Sequence, residues 1–198
     1  MDRREFFRRG INKVSEAAVK EAESRARKKA AHWIRPPYAI RELDFLLACT
    51  RCAKCIEACP HGTIFPLHLR LGAEVVNTPA LDLLSHACHL CADWPCVTAC
   101  EPHALQHPSV EDDEPLPLPR LSHVSIDTDT CLPYSGPECG ACRMACPVSG
   151  ALLWQMTKPS IDTARCTGCA LCREACITSP KAINVVSLHH TAEDIGSY

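Results

Sequence analysis

The sequence predicts an α+β fold: a small unit of short strand, loop, helical turn and strand repeated four times, arranged as two halves related by pseudo-twofold symmetry, with a basic helix in front. Three observations carry this. The 16 cysteines fall into four sets of four. The segments flanking the sets repeat. Side chains suited to a conventional interior are scarce: the hydrophobic share is 46%, and without the cysteines it falls to roughly 38%, against a usual apolar share of about 45–50%.

The first element is the arm, residues 1–37. Residues 1–35 hold eleven Lys and Arg against five Asp and Glu, a net of +6, so residues 36–198 carry −8 of the whole chain's −2. Such asymmetry predicts a basic docking arm on an acidic body. Phe7, Ile11, Val14, Ala18 and Ala22 follow at helical spacing and form one apolar stripe among Arg8, Arg9, Lys13 and Lys20. The arm therefore reads as an amphipathic helix for an anionic membrane face or a partner. The bland alternative is a solvated helix resting on the body. Pro36-Pro37 should end it, because proline bars the preceding residue from helical geometry. Arg3-Arg4 and Phe6-Phe7 suit a twin-arginine export signal, but the run that follows is charged rather than apolar. The expectation is a cytoplasmic protein, peripheral at the inner membrane face, with periplasmic export as the alternative. No stretch is apolar enough to span a bilayer.

The four sets follow in residues 38–198. The first is Cys49, Cys52, Cys55 and Cys59, with proline next. The second is Cys88, Cys91, Cys96 and Cys100. The third is Cys131, Cys139, Cys142 and Cys146. The fourth is Cys166, Cys169, Cys172 and Cys176. All cysteines are used, and the last spacing is always three residues. Val124–Thr130 before the third set matches Ser160–Arg165 before the fourth. After every set comes a small residue and then an aliphatic one: Gly62-Thr63-Ile64, Ala104-Leu105, Gly150-Ala151-Leu152, Ala182-Ile183. One small unit is repeated.

The spacing points to cubane iron–sulfur clusters. Three thiolates at x₂ spacing wrap one face of a cluster from a tight loop. The fourth, three residues on, starts a helical turn and faces away, toward a second cluster. Four sets then give four 4Fe–4S clusters. Structural zinc commonly uses two separated C-x₂₋₄-C pairs and leaves the one-loop pattern unexplained. A disulfide scaffold suits a short secreted chain, and redox C-x-x-C thiols come in ones and twos. Four anionic clusters would take the loaded chain to roughly −10, so a partner face near an exposed cluster should be basic.

Several residues resemble a known family. Trp33-Ile34-Arg35-Pro36-Pro37-Tyr38, Phe45-Leu46 and Cys49-Thr50-Arg51-Cys52 are similar to the start of NapF, and CLPYSGPEC and CTGCALC in the third and fourth sets fit it too. CHLCADWPCVTAC in the second set is closer to NapG, MauM and molybdoenzyme subunits. The chain thus resembles the NapF/NapG/MauM group of ferredoxin-type proteins over roughly residues 33–186. The resemblance implies tandem bacterial-ferredoxin-like modules and a redox partner, possible candidates being a quinone-linked donor and a molybdenum-containing reductase. NapF-like members imply the cytoplasm.

The resemblance to molybdenum-oxidoreductase subunits further implies crossed ligation. Cys49, Cys52, Cys55 and Cys176 would hold one cluster, and Cys166, Cys169, Cys172 and Cys59 its neighbour. Cys88, Cys91, Cys96 with Cys146, and Cys131, Cys139, Cys142 with Cys100, would hold the inner pair. An outer module of residues 38–66 with 158–190 would then enclose an inner one of 80–157. Sequential pairing, first with second and third with fourth, is the alternative.

The rest of the chain is quieter. Glu111–Arg120 reads as an extended proline-rich linker or a plain surface loop. His61, His86, His89 and His103 lie beside cysteine sets but are read as surface residues, since cysteine already fills the ligand count. No nucleophile or general-base constellation, phosphate loop or flavin fingerprint is visible, so an enzyme is not expected. An acidic body with ten aromatics gives a nucleic-acid role no support. Two functions remain: a one-electron relay between a donor and a terminal reductase, or a maturation factor that installs a cluster in a partner reductase.

Overall fold

The computed structural model describes residues 3–111 and 115–190, with side chains from residue 16 onward. Helix α1 spans Arg3–Ala30. It stops well before Pro36-Pro37, contrary to the expectation that the prolines end it. Tertiary packing ends it first. The Ser187 hydroxyl donates to the Ala30 carbonyl at 2.8 Å, Ala26 and Ala30 are buried, and Trp33 turns inward. Phe7, Ile11 and Val14 of the apolar stripe lie outside the described side chains. Ala18 and Ala22 are exposed, so on the described part only the C-terminal end of α1 is seated.

The segment after α1 is clasped by a buried ion pair. Arg35 donates to Glu42 at 2.6 and 3.0 Å, to the Thr78 hydroxyl at 2.9 Å and to the Pro79 carbonyl at 2.7 Å. The Trp33 indole N–H also donates to Glu42, at 3.2 Å, and the guanidinium lies over the Phe45 ring at 4.5 Å. Glu42 opens α2 (Glu42–Ala48). The clasp therefore fixes the helix leading into the first cysteine set against strand β2 (Pro79–Leu81).

Strand β1 (Ile64–Pro66) pairs antiparallel with β2, Ile64 opposite Leu81. An isolated antiparallel bridge joins Ala39 to Leu105. The segment before the first set thus meets the one after the second, and the segment after the first meets the one before the second. The same wiring recurs later. β3 (Ser122–Ile126), before the third set, pairs with β6 (Ile183–Ser187), after the fourth. β4 (Leu152–Gln155) pairs with β5 (Lys158–Ile161) between those sets. The nested arrangement of residues 38–66 with 158–190 around 80–157 is not what these strands build. Each set pairs with its neighbour in sequence, where the loop to be closed is shorter and costs less entropy.

Four single-turn helices complete the units: α3 (Lys54–Glu57), α4 (Pro95–Thr98), α5 (Leu132–Ser135) and α6 (Leu171–Glu174). None could persist alone at that length. Phe45, Ile64, Leu81, Trp94, Val97 and Leu105 of the earlier half join Val124, Ala170, Ile183 and Val185 of the later half in one apolar cluster that also touches the cysteines. Of the proline-rich insert, residues 112–114 lie outside the described residues. Beyond them Pro119 and Leu121 are buried, and the Tyr38 hydroxyl donates to the Pro117 carbonyl at 2.9 Å. The insert is anchored rather than a free linker.

Glu42→Gln removes the charge that neutralises a buried guanidinium. It should lower unfolding stability by about 3–5 kcal/mol, read as a fall in Tm of the iron-loaded protein.

Candidate iron–sulfur sites

The cysteine loops share a backbone device. The residue before the second cysteine of a set has positive φ in three of them: Arg51 at 60°, Leu90 at 50° and Gly168 at 78°. A residue shortly after that cysteine does as well: Ala53 at 62°, Trp94 at 45° and Ala170 at 67°. Left-handed geometry at non-glycine residues costs free energy and persists where the surroundings enforce it, commonly at functional sites. Here it bends the chain twice around one centre, so that three sulfurs of a loop face the same space. Gly168 is the position that admits no alternative. A Cβ there would stand 2.2 Å from the Ser122 carbonyl oxygen and 2.4 Å from its nitrogen.

At the third cysteine a single helical turn (α3, α4 and α6), or in the third set the turn over residues 141–145, carries the chain away from its own loop. Consequently the fourth sulfur lines a different space. Cys49, Cys52 and Cys55 share a cavity with Cys100 (site A). Cys88, Cys91 and Cys96 share one with Cys59 (site B). Cys131, Cys139 and Cys142 share one with Cys176 (site D). The charge of Cys146 acts on Cys166, Cys169 and Cys172, which makes up site C.

This corrects the crossed assignment. Cys176 stands with the Cys131 loop and not with Cys49, and Cys59 with the Cys88 loop and not with Cys166. Cys146 stands with the Cys166 loop and not with Cys88, and Cys100 with the Cys49 loop and not with Cys131. The partners of the fourth cysteines change. They change because α3 packs on α4 and β3 on β6.

Electrostatics at the sulfurs fit a bound cation-rich group. Burial, reinforced by neighbouring thiolates, pushes the Cys55, Cys96 and Cys172 thiols up to about 12. Burial pushes Cys88 and Cys142 up to about 11. Such groups resist ionising until iron compensates the charge. Cys52 differs: backbone donation from Lys54 and a side-chain bond from Thr50 lower it at an almost open position. Cys176 is also lowered; burial opposes this, but hydrogen bonds from Thr178 and Ala182 outweigh it.

The spaces suit a cluster better than a single ion. Four thiolates on one zinc at about 2.3 Å stand only about 3.8 Å apart. Among the described residues no three His, Cys, Asp or Glu gather tightly enough for one metal ion. The Trp154 indole N–H, bordering site D, is buried with no protein acceptor. A cluster sulfide would supply one.

His61, His86, His89 and His103 are all exposed. His61 and His89 stack 3.7 Å apart at the mouth of site B. The residues that sequence reasoning missed are positional. Glu42 gave no signal, because an acidic residue opening a helix is ordinary. Ala53 and Ala170 gave none, because alanine does not advertise a left-handed turn. Gly168 sat visibly inside a set, but its contact with Ser122 is tertiary.

Comparison with known proteins points the same way. A family described as a 4Fe-4S dicluster domain matches residues 123–177. The chain is 34% identical over 167 residues to the methylamine utilization ferredoxin-type protein MauM of Paracoccus denitrificans, covering 79% of this chain and 72% of that protein. It is 30% identical to the ferredoxin-type protein NapG of Escherichia coli, covering 83% of this chain and 75% of that one. Identity to the ferredoxin-type protein NapF of Escherichia coli is also 30%, over 82% of this chain and 90% of NapF.

Two outcomes follow from these sites. Gly168→Ala should destabilise the loaded protein by about 1–3 kcal/mol or more and lower its iron content, whereas Gly140→Ala, with open space around its Cβ, should leave both unchanged. Because the buried thiols are raised, protons compete with iron more strongly as pH falls. Chelator-accessible iron, followed by absorbance, should therefore be released faster at about pH 6 than at about pH 8.

Proposed function

The chain belongs to the family of ferredoxin-type iron–sulfur proteins that includes MauM, NapG and NapF, and on that premise we propose that it relays single electrons through four 4Fe–4S clusters held in two tandem two-cluster modules. The observation that carries the reading is the exchange of fourth sulfurs: Cys100 and Cys59 between the first two loops, Cys176 and Cys146 between the last two. Each exchange ties two clusters into one module, as the matching strand wiring of residues 39–105 and 122–187 also suggests. The clusters supply the one-electron chemistry. The chain's residues hold them, screen them from water and set their spacing.

The sites follow one another as neighbours. Site A adjoins site B, since Cys96 is within electrostatic reach of Cys55. B adjoins C, since the Cys88 amide donates to the Cys169 carbonyl at 2.9 Å. C adjoins D, since Cys172 is within reach of Cys142. Electrons would enter at one of the ends, the Cys49 site or the Cys131 site, and leave at the other. A path with two ends suits a relay between a donor and an acceptor protein. We take these to be a donor, quinone-linked or otherwise, and a terminal reductase, for which a molybdenum enzyme is one class. Among the described residues no helix is long and apolar enough to cross a membrane. The net-basic arm, exposed over residues 16–25 apart from the half-buried Glu23, supports a cytoplasmic protein that touches an anionic membrane face.

Iron and sulfide analysis of anaerobically purified protein should give about sixteen of each per chain if all four sites are loaded. Low-temperature EPR on stepwise reduction should show clusters that are stable and reversibly reducible; labile clusters with tight binding to an apo-reductase would favour the maturation role instead. Cys59→Ser should damage the cluster of Cys88, Cys91 and Cys96 and spare that of Cys166, Cys169 and Cys172. The reverse pattern would overturn the sequential ligation.

A further inference from the structure

Away from the sulfur sites, a groove with a cavity volume of about 350 Å³ opens between the end of α1, the Trp33–Glu42 segment, the end of the proline-rich insert and the end of β6. Small-molecule sites start at about this size. Its walls are largely apolar, with Trp33, Ile34, Pro36 and Tyr38 among them, and four arginines line it. Two of the four are neutralised: Arg35 by Glu42, and Arg41 by Glu23 and Asp44. The other two are not. Among the described residues Arg27 pairs with no carboxylate, and Arg120 donates to the Ala164 carbonyl, at 2.9 Å, and pairs with no carboxylate either. An apolar groove holding two guanidiniums without a carboxylate partner among the described residues, on a body that is otherwise net acidic, selects an anion with an apolar body.

The groove is bonded to the cluster loops behind it. The amide of Leu121, which lines it, donates to the Thr167 carbonyl at 2.7 Å, between Cys166 and Cys169. Ala164, the acceptor of Arg120, lies two residues before Cys166. On the other side Tyr38 packs edge-on to Trp94, 4.9 Å between ring centres, and Trp94 borders site B. The middle of the succession of sites therefore forms the back of the groove.

We propose that this groove binds an organic anion, a carboxylate, sulfonate or phosphate on an apolar body, and that its occupancy lowers the reduction potential of the cluster at Cys166, Cys169 and Cys172. Added negative charge beside Arg120 offsets the positive field that favours an incoming electron. Binding stands on the groove alone; the shift in potential rests on the relay reading.

The test uses anaerobic, cluster-loaded protein and anilinonaphthalene sulfonate as probe, titrated by calorimetry beside neutral phenylnaphthylamine and inorganic phosphate. One saturable site for the sulfonate is expected, with the neutral compound and phosphate each weaker by about tenfold or more. Arg27→Gln should weaken the sulfonate while iron content and Tm hold, and the double variant Arg27→Gln/Arg120→Gln should weaken it further; Arg27 is exposed, so the single variant guards against misfolding. EPR-monitored titration should show one cluster moving to lower potential on saturation in the native protein. Equal binding of the neutral compound, affinity unchanged by both variants, or saturation with no cluster moving would each overturn the proposal. A chain with fewer than four clusters would defeat the relay reading, yet the calorimetry would still decide the groove.

Discussion

Everything in this molecule depends on the displacement of the fourth sulfur of each set. A single turn at the third cysteine, helical in three of the sets, rotates the chain, and the next thiolate faces a space that its own loop does not enclose. No loop can complete a site by itself. The first and second loops must approach each other, and so must the third and fourth, before either member of a pair has four ligands. Short strands such as β1 and β2 could not enforce this. They are three residues long, at the short end of the usual range for a strand. Sulfur exchange, once iron is present, adds to the apolar cluster what a larger interior supplies in an ordinary domain.

The same constraint explains why strained and unfavourable features persist. Arg51, Ala53, Leu90, Trp94 and Ala170 hold left-handed backbone, and several thiols are forced far above their usual range by burial. Each is a cost in the iron-free chain. Cluster binding offsets them together, because the curvature that strains the backbone is the curvature that fits a cubane, and thiols reluctant to ionise in isolation are stabilised as thiolates by iron. Folding and loading are thus one linked equilibrium rather than two steps. The clasp of Arg35 and Glu42 belongs to the same economy: it holds α2 against β2 where apolar contacts are few.

The arrangement also separates what each half contributes. The early half bears the arm and the Arg35 clasp, and it places Cys52 almost in the open. The later half carries the longer β3–β6 pair. Between them, the Cys88–Cys169 backbone bond and the Leu121–Thr167 bond knit the inner sites together. A succession of neighbouring sites with one interior junction would suit the two-partner relay proposed above.

By itself the sequence determined the chemistry. Sixteen cysteines in four sets, each closing with a three-residue step, specify iron–sulfur ligation, because ligand type and local spacing are properties of a few consecutive residues. It also indicated a basic helix and the repeat of one small unit. Which set completes which was not legible: the crossed and sequential assignments use the same residues and spacings, and differ only in contacts such as α3 on α4 and β3 on β6 that the local chain does not encode. The end of α1 at Ala30, the burial of Arg35 with Glu42 and the approach of Ser122 to Gly168 were decided in the same way. Each depends on a partner tens of residues distant or on a packing choice among neighbours, and only the folded chain brings such partners within bonding distance.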